Sequence, residues 1–245
     1  MPVRSQLHVR LTRVFAVIGA VALCALAGCG QGPTTPAAST GSQVATQPAG
    51  SVASATASAG ALHTPAYVPT GNEVAVFKTN KGEIRVKLYG KDAPINTGNF
   101  IELARKGFYN GTRFHRLEPG FVLQGGDPQT KKLSKSQVIK FLANQQQGVF
   151  KQGDPILGTG GPGYTIKGEF DPNHIVHKHV DGTLAMARTN SPDTAGSQFY
   201  FALAPLAELD GNYTVLGDTV QGLKVVHSLG IGDVVKSITI ENVTK

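Results

Sequence analysis

Residues 114–127, FHRLEPGFVLQGGD, set a cation and an amide, Arg116 and Gln124, among Phe114, Leu117, Phe121, Val122 and Leu123. No serine or cysteine lies in the stretch, so it holds nothing able to form a covalent intermediate. A permanently charged guanidinium and an amide beside an apolar floor suit chemistry in which no nucleophile attacks. Other candidate sites are weaker. Gly158 to Gly163 matches GxGxxG, but Pro162 lies within it and a strand-like YTIKGEF follows where a helix should open. These glycines are therefore read as shaping a tight rim loop. His174, His177 and His179 match no familiar zinc spacing and are read as loop histidines, so no metal or other cofactor is expected. Ser197 sits in Ala195-Gly196-Ser197-Gln198, which lacks the GxSxG elbow of a hydrolase.

Alternating polar and apolar residues define the elements that must position Arg116 and Gln124. Glu83, Arg85 and Lys87 point one way and Ile84, Val86 and Leu88 the other, after an Asn80-Lys81-Gly82 turn, which predicts a hairpin. Pro94 at a helix start, apolar Ile95, Phe100, Leu103 and Ala104, and Gly107 at the end predict an amphipathic helix. Residues 112–117 and 121–125 read as a second hairpin. Strand-like runs recur at 164–170, 183–188, 199–203, 213–220 and 234–242, with a short helix over 221–229. Many short strands with two helices point to a mainly β fold, a closed antiparallel barrel capped at its ends. Residues 129–157 interrupt the rhythm, and Ser134 with Gln137 predicts a capping box ahead of Val138, Ile139, Phe141 and Leu142. The stretch reads as a helical insertion on the rim.

Strand register adds a constraint. A two-residue Pro119-Gly120 loop would set Arg116 opposite Leu123 and turn Gln124 to the other face. For Arg116 and Gln124 to share a site, an odd loop or a bulge is required near Glu118 to Phe121.

The N-terminal region speaks to location. Arg4, Arg10 and Arg13 precede an uncharged apolar run from Val14 to Leu26, and Leu26-Ala27-Gly28-Cys29 resembles the bacterial lipobox. The run is shorter than the roughly 20 residues of a spanning helix, and the layout is that of a signal peptide over 1–28 with Cys29 lipidated after cleavage. Cys24 would leave with the signal, so no disulfide is expected in the mature domain. Residues 29–71 are mostly Gly, Ala, Ser, Thr, Pro and Gln with no charged side chain, and read as a flexible tether with a reach of roughly 35 Å. The expected location is the bacterial cell envelope, lipid-anchored and outside the cytoplasm. Loss of the signal removes three arginines and no acid, lowering the formal charge from +7 to +4. The remaining lysines are scattered rather than gathered on a basic face, which argues against a nucleic-acid partner.

FHRLEPGFVLQGGD, GTGGPGY (158–164), LAMARTNSPDTAGSQFYFAL (184–203) and LDGNYTVLG (209–217) together resemble the cyclophilin family of peptidyl-prolyl isomerases, in order and across residues 72–245. The resemblance implies an eight-stranded antiparallel barrel capped by two helices, with a groove on its outer face for an Xaa-Pro peptide. It implies that Arg116 is catalytic with Gln124 beside it, that Phe121, Val122, Tyr200 and Leu209 wall a proline pocket, and that Gln198 helps hold the peptide. Ala187 and Arg188 fall in a segment whose backbone pairs with substrate, and Tyr213 stands where many members carry histidine. The implied partners are proline-containing peptides and unfolded or partly folded proteins, with folding of secreted or envelope proteins as the role. A peptide-binding or chaperone module with negligible turnover is the alternative. Three positions depart from the common eukaryotic pattern: Glu208 replaces a tryptophan, which argues against tight cyclosporin binding, Tyr213 replaces histidine, and Val122 replaces methionine.

Overall fold

The computed structural model of this chain describes residues 62–243. The signal segment, Cys29 and residues 30–61 of the expected tether lie outside the described residues. Among the described residues, no helix is long and apolar enough to cross a membrane.

The described residues form eight strands: β1 Glu73–Thr79, β2 Glu83–Leu88, β3 Arg116–Glu118, β4 Val122–Gly125, β5 Thr183–Met186, β6 Phe199–Ala202, β7 Val215–Gln221 and β8 Val235–Asn242. Among the described residues three helices accompany them: α1 Pro94–Arg105, α2 Lys135–Gln146 and α3 Leu223–Ser228. The strands make one antiparallel sheet in the order β3-β4-β6-β5-β7-β2-β1-β8. This corrects the expected closed barrel: the sheet is curled and open, with β3 and β8 at its edges. β3 pairs with β4 alone, and the residues that face the start of β8 are those ahead of β3, joined there by the single bridge Arg113–Val234. The seam is instead bridged by the chain leading into each strand, where Phe114 N–H donates to the Asp233 carbonyl at 3.0 Å and Val235 N–H to that of Thr112 at 2.8 Å. The run at 164–170 likewise gives no strand, only an isolated bridge between Ile166 and Ala195.

Period-two alternation divides the sheet's two faces. Phe77, Ile84, Leu123, Leu184, Phe199 and Phe201 point inward with Phe100 of α1, all of them completely buried. Their rings meet edge-on, Phe77 to Phe201 at 5.3 Å and to Phe199 at 5.6 Å between centroids. Each such side chain contributes about 1.5–3 kcal/mol on leaving water. The intervening residues Val122, Ala185, Tyr200 and Ala202 face outward and form a second, smaller apolar cluster. That outer cluster underlies the site.

Helix ends follow from local chemistry. Pro94 occupies the first turn of α1, and Ala93 offers no capping side chain. Glu169 substitutes for it from a distant loop, accepting from Ile95 N–H at 2.9 Å and Asn96 N–H at 2.8 Å, a carboxylate at the positive end of the helix dipole. The expected capping box of α2 forms between Ser134 and Gln137. This insertion helix buries Val138, and Lys135 bonds Asp233 at 2.9 Å, tying it to the chain ahead of β8.

Residues 62–71, assigned to the tether from composition, pack on the fold. Pro65 and Pro69 are buried, the Arg105 guanidinium lies 4.1 Å from the Tyr67 ring centroid, and Tyr67 N–H donates to Glu102 at 2.8 Å. The buried Glu73 carboxylate accepts from Tyr67 Oη, Thr70 N–H, Thr70 Oγ1 and Gly71 N–H at 2.7–2.9 Å. Burial alone would raise its pKa, but these donors hold it down to about 2. A charge-free composition concealed this docking because the partners come from elsewhere in the chain.

Candidate active site

The β3–β4 hairpin decides which way Arg116 faces. Pro119 and Gly120 take the two central places of a turn closed by Phe121 N–H donating to the Glu118 carbonyl at 3.0 Å. Gly120 has φ +71°, which suits glycine at the third position of a type II turn. Glu118 pairs with Val122, so the loop has three residues and Arg116 stands opposite Gln124. The odd loop anticipated from register is present. Leu203 N–H then fixes Phe121 by donating to its carbonyl at 2.8 Å.

Arg116, Glu118, Phe121, Val122, Gln124, Ala187, Arg188, Tyr200, Leu209 and Tyr213 line one open cleft of about 280 Å³. Nine of the ten were candidates from sequence. Arg116 donates through Nε and Nη2 to Glu118 Oε1 at 3.0 and 2.5 Å, and through Nη1 to Gln124 Oε1 at 3.3 Å. Its guanidinium carbon lies 6.0 Å from the Phe121 ring centroid. Gln124 Nε2 in turn donates to Gln198 Oε1 at 2.9 Å, and Gln198 Nε2 to the carbonyls of Gly158 and Gly160 at 2.9 and 2.8 Å.

Gln198 is the one candidate that does not line the cleft. It stands behind Gln124, its amide occupied by protein partners, because the glycine-rich rim loop comes close enough to take both donors. That loop requires glycine at 160, where a Cβ would lie 2.1 Å from Asp127 Oδ1. The glycines therefore build a rim, as read from sequence, and also orient the amide pair.

Two features were missed. Glu118 follows Arg116 by two residues on a strand and so shares its face, a signal that alternation alone offered. His179, read as a loop histidine, is buried behind the cleft, with Nδ1 3.0 Å from Asp210 Oδ1 and Nε2 3.0 Å from Tyr200 Oη. Burial lowers the His179 pKa against the pull of Asp210, and burial holds the Tyr200 phenol well above its ordinary range. The neutral tautomer consistent with these partners donates Nδ1–H to Asp210 and accepts the Tyr200 hydroxyl at Nε2. No sequence pattern signalled the Asp210–His179–Tyr200 chain, since its members come from three separate segments. His177 points elsewhere, 3.0 Å from Asp92 and stacked on Tyr89 at 3.7 Å. Ser197 donates to the buried Gly126 carbonyl at 2.8 Å.

The far wall is made by Tyr213, edge-on to Tyr200 at 5.8 Å, and by Arg188, whose guanidinium carbon lies 4.4 Å from the Tyr213 centroid. Ala187 N–H donates to the Gln198 carbonyl at 2.9 Å, whereas the Arg188 backbone N–H finds no partner among the described residues. The assembled cleft offers a fixed cation, an oriented amide and apolar walls.

Residues 74–245 match the family model described as cyclophilin type peptidyl-prolyl cis-trans isomerase/CLD. The chain belongs to the cyclophilin family. As a cyclophilin-type peptidyl-prolyl cis-trans isomerase it is an enzyme. It is 39% identical over 166 residues to a peptidyl-prolyl cis-trans isomerase of Helicobacter pylori, covering 67% of this chain and 84% of the relative. It is 38% identical over 159 residues to peptidyl-prolyl cis-trans isomerase B of Bacillus subtilis, covering 65% of this chain and 91% of that one. Among solved structures, a Cryptosporidium parvum cyclophilin type peptidyl-prolyl cis-trans isomerase, crystallised in the presence of the dipeptide Ala-Pro, matches with a TM-score of 0.53 and 25% identity. That match covers 69% of this chain and 99% of the other.

Proposed function

We propose that the outer-face cleft binds an Xaa-Pro segment, that Arg116 lowers the barrier to its rotation, and that the clients are secreted or envelope proteins. The observation that carries this reading is that Arg116 shares one open cleft with Phe121, Val122, Tyr200 and Leu209, with room for a pyrrolidine ring.

Rotation about the Xaa-Pro bond breaks no covalent bond, and its barrier of about 18–20 kcal/mol reflects lost amide resonance. As the bond twists, the proline nitrogen becomes pyramidal and regains a lone pair able to accept a hydrogen bond. A donor aimed there stabilises the twisted state and not the planar one, which is differential binding of the transition state. A guanidinium carries five N–H groups. Glu118 engages Nε–H and one Nη2–H, and Gln124 one Nη1–H, leaving one donor on each terminal nitrogen for a bound peptide. Such a charged hydrogen bond contributes about 1.5–3 kcal/mol, or one to two decades of rate. Apolar walls supply more by gripping the ring and excluding water that favours the resonant amide. Gln124, held by Gln198, restrains the moving carbonyl, and the free Arg188 amide pairs with the peptide backbone. The Ala-Pro dipeptide present with the Cryptosporidium relative supports a proline-containing ligand.

The cellular setting rests on sequence. The arginine-led apolar run, Leu26-Ala27-Gly28-Cys29 and the uncharged residues that follow support lipidation of Cys29 and exposure on an envelope membrane outside the cytoplasm. Cys29→Ala is expected to move the protein from the membrane fraction to the soluble fraction; unchanged membrane association would refute the anchor. For activity, wild-type protein is expected to accelerate cis-trans exchange of an Ala-Pro peptide and to speed proline-limited refolding of an unfolded client. Binding of the peptide without faster exchange would favour the chaperone alternative instead.

A further inference from the structure

The charges lining the cleft are unevenly matched. On the β3 wall, Arg116 is paired with the Glu118 carboxylate. On the opposite rim, Arg188 has no ion-pair partner among the described residues. Its Nε and Nη2 donate to the Asn212 carbonyl at 3.0 and 2.6 Å, and its Nη1 to the carbonyls of Thr189 and Asn190 at 2.8 and 3.3 Å. Carbonyl oxygens satisfy the geometry of these N–H groups but carry no formal charge, so a full positive charge remains at the cleft mouth. The guanidinium carbon also lies 4.4 Å from the Tyr213 centroid and 5.0 Å from that of Phe170. A cation already fixed by stacking and by backbone oxygens loses little rotamer freedom when an anion arrives, and that ordering loss is what weakens most exposed ion pairs.

We propose that Arg188 is a specificity determinant that favours peptides carrying an aspartate or glutamate next to the isomerised Xaa-Pro unit and disfavours those carrying a lysine there. This rests on the reading of the cleft as an Xaa-Pro site. Glu118 contributes by matching Arg116, which leaves Arg188 as the one unmatched charge among the residues lining the cleft.

The test uses three peptides identical except for Glu, Gln or Lys at the flanking position, in one series before the Xaa-Pro unit and in another after it. Each is titrated by chemical-shift perturbation into the wild-type protein, Arg188→Gln and Arg188→Lys, at low and at high salt. In at least one series, the wild type is expected to bind the Glu peptide about two- to fivefold more tightly than the Gln peptide, the range reached by partly exposed ion pairs. The Lys peptide is expected to bind more weakly than either. The Glu preference falls to about one in Arg188→Gln and at 1 M salt, where the Debye length is about 3 Å, and survives in Arg188→Lys, which keeps the charge. A wild-type Glu to Gln ratio of one in both series, or a preference that persists in Arg188→Gln, overturns the proposal. The same samples report exchange: tighter Glu binding with no acceleration would refute the catalytic reading while leaving the role of Arg188 standing.

Discussion

Glu73→Gln tests whether a buried carboxylate pins the start of the folded domain. In the native state this carboxyl titrates at about 2 instead of its ordinary 4.5, because four donors from Tyr67, Thr70 and Gly71 outweigh the effect of burial. At about 1.4 kcal/mol per pH unit, the difference corresponds to ~3 kcal/mol of stability. Since the folded pKa is the lower one, this contribution is fully present above about pH 4.5 and is lost as pH falls towards 2. Glutamine keeps one acceptor oxygen and turns an NH2 group towards N–H donors, so it forfeits the effect and adds a mismatch. In urea at pH 7 the variant is expected to unfold about 1.5 M earlier, for a slope of about 2 kcal/mol/M, with faster amide exchange at Thr70 and Gly71. The gap between wild type and variant narrows as pH is lowered from 5 to 2.5. Equal stability at pH 7, or a gap independent of pH over that range, would refute the reasoning.

Other variants probe the core and the support of the cleft. Phe199→Ala removes a completely buried ring from the centre of the aromatic cluster and is expected to cost about 3–5 kcal/mol in equilibrium unfolding. Gly160→Ala drives a Cβ into Asp127, shifts the rim loop that orients Gln198 and Gln124, and is expected to lower kcat/KM on the order of tenfold with the fold retained by circular dichroism. His179→Phe strands the buried Tyr200 hydroxyl at a cost of about 1–3 kcal/mol, whereas adding Tyr200→Phe recovers most of that loss, as a double-mutant cycle of unfolding free energies would show.

The sequence made the strands and the cleft legible where the determining forces were local. Alternation at Glu83 to Leu88 located β2, and Ser134 with Gln137 announced the start of α2. The register argument at Pro119-Gly120 required the odd loop that brings Arg116 and Gln124 together. What stayed hidden depended on contacts between distant segments. The edges of the sheet remain open because the residues facing β8 are those ahead of β3 and make a single bridge there, a matter of pairing partners that no pattern in residues 112–117 reveals. Docking of residues 62–71 depends on Glu73, Glu102 and Arg105 receiving them. Gln198 resembles a peptide contact by motif, yet the nearby rim loop captures its amide, and the Asp210–His179–Tyr200 chain joins three segments whose sequences advertise nothing.

Catalysis by this cleft requires that the Arg116 guanidinium interact more strongly with the twisted Xaa-Pro bond than with the planar one. Its most direct test is a comparison of wild type and Arg116→Ala on one Ala-Pro peptide, with dissociation constant and exchange rate at saturation both determined by NMR. The expected exchange rate is lower by about 10- to 100-fold, with the dissociation constant within about threefold of wild type. An unchanged rate at saturation, or a loss carried entirely by weaker binding, would contradict it.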